Sequence, residues 1–99
     1  MYGTVARMRV KPGQMDAFKK VMDDFNANRH PKGYLGELVY QTDNNPNELL
    51  MAVFFNSKED YQANANDPEQ DKEYQKMRGL LEADPEWHDG EVIHQFWKR

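Results

Sequence analysis

The chain has no cysteine, which removes disulfides, thiol nucleophiles and thiolate metal sites from consideration. It has no basic surplus either: 13 Lys and Arg stand against 17 Asp and Glu, a net charge of −4. Neither a nucleic acid nor an anionic membrane surface is therefore an expected partner. The longest apolar run, Leu49 to Phe55, is far too short to span a bilayer. Met1 to Val10, with Arg7 and Arg9, lacks the unbroken apolar core of a signal peptide. No phosphate-binding loop, dinucleotide fingerprint, nucleophile elbow or internal repeat is present. What is left is one domain spanning all 99 residues, with room for one modest core, expected in the cytoplasm.

The segment that organises this domain is Glu48 to Pro68. Leu49, Met51, Val53 and Phe55 alternate with Leu50, Ala52 and Phe54, so this strand is apolar on both faces and needs cover on both. Ser57 then caps a helix, with Asp60 three places on as the capping-box partner. That helix breaks at Asn64 to Pro68, and a second begins with Asp67 as N-cap and Pro68 in its first turn. Tyr74, Met77, Leu80 and Leu81 point inward, and the spacing predicts a stop near Asp84-Pro85.

Upstream, Tyr2 to Val10 reads as a strand with Tyr2, Thr4, Ala6, Met8 and Val10 on one face and Val5, Arg7 and Arg9 on the other. Met15, Phe18, Val21, Met22 and Phe25 form the apolar stripe of a helix ended by Pro31 and Gly33. Tyr34 to Thr42 is a strand in which Gly36, Leu38 and Tyr40 alternate with Leu35, Glu37, Val39 and Gln41. It joins the central strand through a turn at Asp43 to Asn47. The last strand is expected at about Glu91 to Trp97, followed by a charged tail, Lys98-Arg99.

The order β-α-β-β-α-β, with the second helix broken, predicts an α+β ferredoxin-like fold: a four-stranded antiparallel sheet with helices on one face. The other face keeps large apolar side chains. A second copy packed sheet against sheet, a two-fold homodimer, covers them most simply.

Val10-Lys11-Pro12-Gly13, the Leu50 to Phe55 strand, Ser57 to Asn64 and Asp84 to Gly90 together resemble the antibiotic-biosynthesis-monooxygenase-like domain. The resemblance covers nearly the whole chain. It implies a dimeric α+β barrel with a pocket in each protomer, and relatives that include cofactor-free oxygenases of quinols and anthrones, haem-degrading enzymes and proteins of no known activity. Many members have histidine where this chain has Asn64. The haem-degrading branch expects asparagine in the first strand, where Ala6, Arg7 and Met8 stand, and a tryptophan near the central strand, whereas Trp87 lies well downstream. Haem degradation is disfavoured accordingly.

Two functions follow. One is a cofactor-independent monooxygenase of a small hydroxylated aromatic or quinol, using no cofactor or metal. The alternative is a non-catalytic dimer that binds a small apolar or aromatic ligand. Asn64 supplies a hydrogen bond to a substrate anion or serves only the helix break. His94, expected inside a strand, is the candidate general base or a packed interface histidine. Tyr61 and Tyr74 face inward as core or pocket residues, and Trp87 plugs the core or stacks on a flat ligand. Arg7 pairs across the dimer with Glu37 or Glu91, or binds an acidic ligand. On a regular strand His88 and His94 would share a face about 20 Å apart, too far to hold one metal ion.

Overall fold

The computed structural model describes residues 1–98; Arg99, the end of the expected charged tail, lies outside them. The elements run β1 (Tyr2–Arg9), α1 (Met15–Asn28), β2 (Tyr34–Gln41), β3 (Glu48–Phe55), α2 (Lys58–Ala65), α3 (Pro68–Arg78) and β4 (Glu86–Glu91). All strand pairs are antiparallel, in the order β2-β3-β1-β4. This is the expected ferredoxin-like arrangement.

Alternation on β1 sets the layers. Thr4, Ala6 and Met8 are buried under the helices, while Val5, Arg7 and Arg9 are exposed on the open face. On β3, Met51 stands opposite Ala6 and Leu49 opposite Met8, so both strands offer the helices one continuous apolar surface. Phe18 of α1 is fully buried on it, with Val10 and Leu81 closing one end.

The helix starts follow their caps. Ser57 Oγ accepts from the Asp60 amide at 3.1 Å, and Asp67 Oδ1 accepts from the Glu69 amide at 2.9 Å, with Pro68 in the first turn of α3. Pro68 lacks the N–H that a helix interior would need, so the break before it follows from its chemistry.

Three expectations are corrected. First, α3 stops at Arg78, not near Asp84-Pro85. Leu81 has left the helix to bridge Val10, with Lys11 N donating to Leu80 O at 2.8 Å and Glu82 N to Arg9 O at 3.0 Å. Arg78 holds this exit, donating to Leu81 O at 3.1 Å and to Asp84 at 2.7 Å.

Second, the last strand is Glu86–Glu91, not Glu91 to Trp97. Leu81 already lies beside Val10, so the chain runs back along the free edge of β1, from Arg7 opposite Glu86 to Tyr2 opposite Glu91. Val92 N donates to Met1 O at 2.9 Å as the ladder ends, and 92–98 carry no regular structure. The polar composition of β4 suits a sheet edge.

Third, the ladder between β2 and β3 shifts register between Tyr34 and Gly36, where Gly36 has φ +153°. This bulge moves Leu35 to the open face, beside Leu38 and Phe54, and leaves Glu37 and Val39 opposite Val53 and Met51 on the helix face.

Candidate functional site

Between the sheet and its helices lies an open cavity of about 470 Å³. Its apolar walls come from Met22 and Phe25 of α1, Val53 and Phe55 of β3, and Met77 of α3. The stripe on α1 is thus split: Phe18 fills the core, and the next turns line the cavity. The ring of Phe55 packs edge-on against Tyr34 and Tyr61, with centroids 5.5 and 5.7 Å apart. Trp87, opposite Ala6 on the helix face, meets Tyr74 at 6.2 Å. Trp87 is half exposed and forms cavity wall; it does not plug the core.

Two polar groups are held in fixed roles. At one, the Tyr61 hydroxyl donates to Asp89 Oδ1 at 2.8 Å. Burial, then the hydrogen bond to Asp89 and its charge, push the Tyr61 phenol from its ordinary 10.0 up to about 12, with Thr4 pulling the other way. Tyr61 is therefore a lasting donor at neutral pH, and Asp89 keeps its second oxygen for other partners. Burial, and then Glu37, raise Tyr34 likewise to about 12. Burial, followed by Asp84, raises Tyr74.

At the other, Arg29 Nη2 donates to Asn64 Oδ1 at 3.0 Å and to Asp67 Oδ2 at 3.5 Å. A guanidinium has donors only, so the amide oxygen of Asn64 must face Arg29. What Asn64 has left to offer the cavity is the N–H pair on Nδ2. The side chain thus does more than shape the helix break. Its neighbour on the cavity wall, Gln70, keeps a buried Oε1 without a partner.

The phenol shift sets an alkaline signature. Tyr61 favours its neutral form in the folded state, so its contribution to stability is complete below pH 10 and is lost as pH rises towards 12. Tyrosinate absorbance is expected to develop in two phases, with Tyr61 and Tyr34 in the late one. Asp89→Asn should bring one phenol back towards the early phase; an unchanged late phase in that variant would contradict the assignment.

The sequence-derived candidates divide. Tyr61, Asn64, Tyr74 and Trp87 meet at this cavity. His94 does not: it lies in the segment beyond β4, along a second hollow of about 600 Å³ on the open face, with Phe54, Phe96 and Trp97. Arg7 is also on the open face, opposite Leu50 and Glu86. Within the protomer, Glu37 accepts from Asn26 at 2.9 Å, and Glu91, opposite Tyr2, falls on the helix face. The acids sharing the face of the arginines are Glu86, opposite Arg7, and Glu48, opposite Arg9. His88 is there too, with Nε2 3.0 Å from Glu86. Among the described residues no three His, Asp or Glu side chains converge as metal ligands.

Sequence reasoning missed Arg29 and Asp89. Arg29 continues the spacing of Met22 and Phe25 by four residues, a sign that it shares their face. Asp89 alternates with Trp87 once the strand is placed correctly.

The family model for antibiotic biosynthesis monooxygenase matches residues 1–76. No curated protein matches the chain. Among solved structures, a candidate antibiotic biosynthesis monooxygenase from Chloroflexus aurantiacus J-10-fl is 24% identical, with 97% of this chain and 96% of that one covered and a TM-score of 0.78. SnoaB, a cofactor-independent oxygenase from Streptomyces nogalater solved as an asparagine-to-alanine variant, is 13% identical, with 98% and 97% covered and a TM-score of 0.80. A conserved protein from Methanosarcina mazei Go1 is 18% identical over 90% and 89%, with a TM-score of 0.77. At these identities the structural likeness speaks for the fold alone, and it is the family match that assigns the chain: it belongs to the antibiotic biosynthesis monooxygenase family.

Proposed function

We propose that the protein is a cofactor-independent monooxygenase of a small hydroxylated aromatic or quinol, acting as a homodimer. The observation that carries this reading is an aromatic cavity holding one fixed acceptor, Asp89, and one fixed donor, Asn64. A neutral substrate gives a proton to the free oxygen of Asp89, and Asn64 Nδ2 donates to the oxyanion that forms. The resulting electron-rich anion is itself the reductant of dioxygen. For a ring methylene of the anthrone type, two C–H bonds are lost. One oxygen atom becomes the new ketone, and the other leaves with both hydrogens as water. The earlier candidate base, His94, has no part in this scheme because it lines the opposite face of the sheet.

The test is oxygen uptake with anthrones and naphthohydroquinones against a no-protein control. Uptake above control that falls in Asn64→Ala supports the reading. Saturable binding without uptake would instead favour the non-catalytic ligand-binding dimer, a reading supported by the Tyr61 bond that already occupies one Asp89 oxygen.

The homodimer is supported by the open face. Leu38 is 53% exposed, Tyr40 60% and Val5 47%. Apolar surface gathered on one face is most economically covered by a second copy. Leu38→Glu buries a charge twice in a two-fold interface, and a central substitution of this kind costs about 2 kcal/mol or more, roughly thirtyfold in dissociation constant. Light scattering across a dilution series should show that variant dissociating at far higher concentration than the parent. An unchanged mass at every dilution would contradict this interface.

A further inference from the structure

We infer that the cavity admits aromatic ligands that are neutral or cationic and turns away those carrying a fixed negative charge. This concerns the site of the proposed oxygenase and rests on that cavity holding the ligand, though not on turnover. Four carboxylates line it, Glu37, Asp71, Glu73 and Asp89, and among the described residues no lysine, arginine or histidine does.

Their charge is poorly cancelled. Glu73 has a cation, Lys76 Nζ at 3.1 Å. Glu37 is met by the neutral amide of Asn26, and Asp89 by the neutral phenol of Tyr61. Asp71 has no ion-pair partner among the described residues. Arg29, behind Asn64, is matched by Asp67 at 3.5 Å. Three carboxylates thus act unopposed on whatever enters, inside a concave wall that keeps part of the water out and lengthens the reach of their field.

A second observation points to the ligand itself. Thr4 is only 4% exposed and its hydroxyl faces the Tyr61 phenol, whereas the buried Oε1 of Gln70 has no hydrogen-bond partner. Gln70 lines the cavity, and buried polar atoms are normally satisfied. Gln70 Oε1 can only accept, so it calls for a ligand with an N–H or O–H to give. The aromatic faces of Tyr34, Tyr61, Tyr74 and Trp87 suit a flat ring and tolerate a positive charge above it. A ring bearing a hydroxyl or an amine meets every condition, and a ring carboxylate meets the repulsion of Glu37, Asp71 and Asp89. The substrate then enters uncharged, and its negative charge arises only after proton transfer, within reach of Asn64.

The probes are a naphthol, the matching hydroxynaphthoate and the matching aminomethyl naphthol, with binding followed by calorimetry and by tryptophan fluorescence. The naphthol and the amine should bind at least tenfold more tightly than the carboxylate at low salt, with the gap narrowing as salt rises. The double variant Glu37→Gln, Asp71→Asn should narrow it too, chiefly by improving binding of the carboxylate. Equal or tighter binding of the hydroxynaphthoate overturns the inference, as does failure of all three probes to bind. Charge selectivity without oxygen uptake from any anthrone or quinol would leave this inference standing and remove the oxygenase.

Discussion

Asp89→Asn is expected to lower kcat by about a hundredfold or more, the range in which removal of a positioned proton acceptor usually falls. KM should move little. The substitution is nearly isosteric, and its amide oxygen can still accept the Tyr61 hydroxyl that now holds Asp89 Oδ1 at 2.8 Å. The wall is thereby kept while the basic oxygen is lost. Loss of turnover with binding intact separates chemistry from packing. A kcat equal to that of the parent would remove Asp89 from the mechanism. Asn64→Ala tests the other end of the site: loss of one donor to a developing oxyanion costs about a hundredfold to a thousandfold.

The second large effect concerns the core that carries this site. Phe18→Ala should cost about 3–5 kcal/mol, a sizeable part of the 5–15 kcal/mol by which a domain of this kind is stable. Phe18 is fully buried, between α1 and the surface made by Ala6, Met8, Leu49 and Met51. Removal of its ring leaves a void there that neighbouring side chains only partly fill. Urea unfolding of parent and variant at equal protein concentration measures this, and the matched concentration keeps any association between copies from entering the comparison. A cost below about 1 kcal/mol would mean that the layer collapses around the gap, contrary to the packing described.

Most of this fold was legible because period and punctuation agree. The two-residue alternation on β1 and β3, the stripe on α1, and the caps at Ser57 and Asp67 all reappear where the residues placed them. The end of the chain was less legible. Val92 to Trp97 is far more apolar than Glu86 to Glu91, and local preference favours it as a strand. Tertiary geometry decides otherwise, because the bridge between Leu81 and Val10 delivers the chain to the edge of β1 before the apolar run begins.

That single displacement had consequences at the site. It took His94 out of the sheet and turned Trp87 and Asp89 together onto the cavity wall. Tyr61 and Asn64 were legible, since they lie three residues apart on one helix face. The bond from Arg29 to Asn64 spans 35 residues and depends on how α1 meets the α2–α3 break, which no local pattern encodes. The bulge at Gly36 was hidden for a similar reason: a register shift is a property of two strands together.

The most direct test of the account follows the oxygen atoms. Metal-stripped protein is supplied with an anthrone under labelled dioxygen, and the ketone product is analysed by mass spectrometry. One labelled oxygen is expected in each new carbonyl, with one dioxygen consumed per product and both signals lost in Asp89→Asn. Product formed at the rate of the no-protein control, or carrying oxygen from water, would contradict the proposed oxygenation.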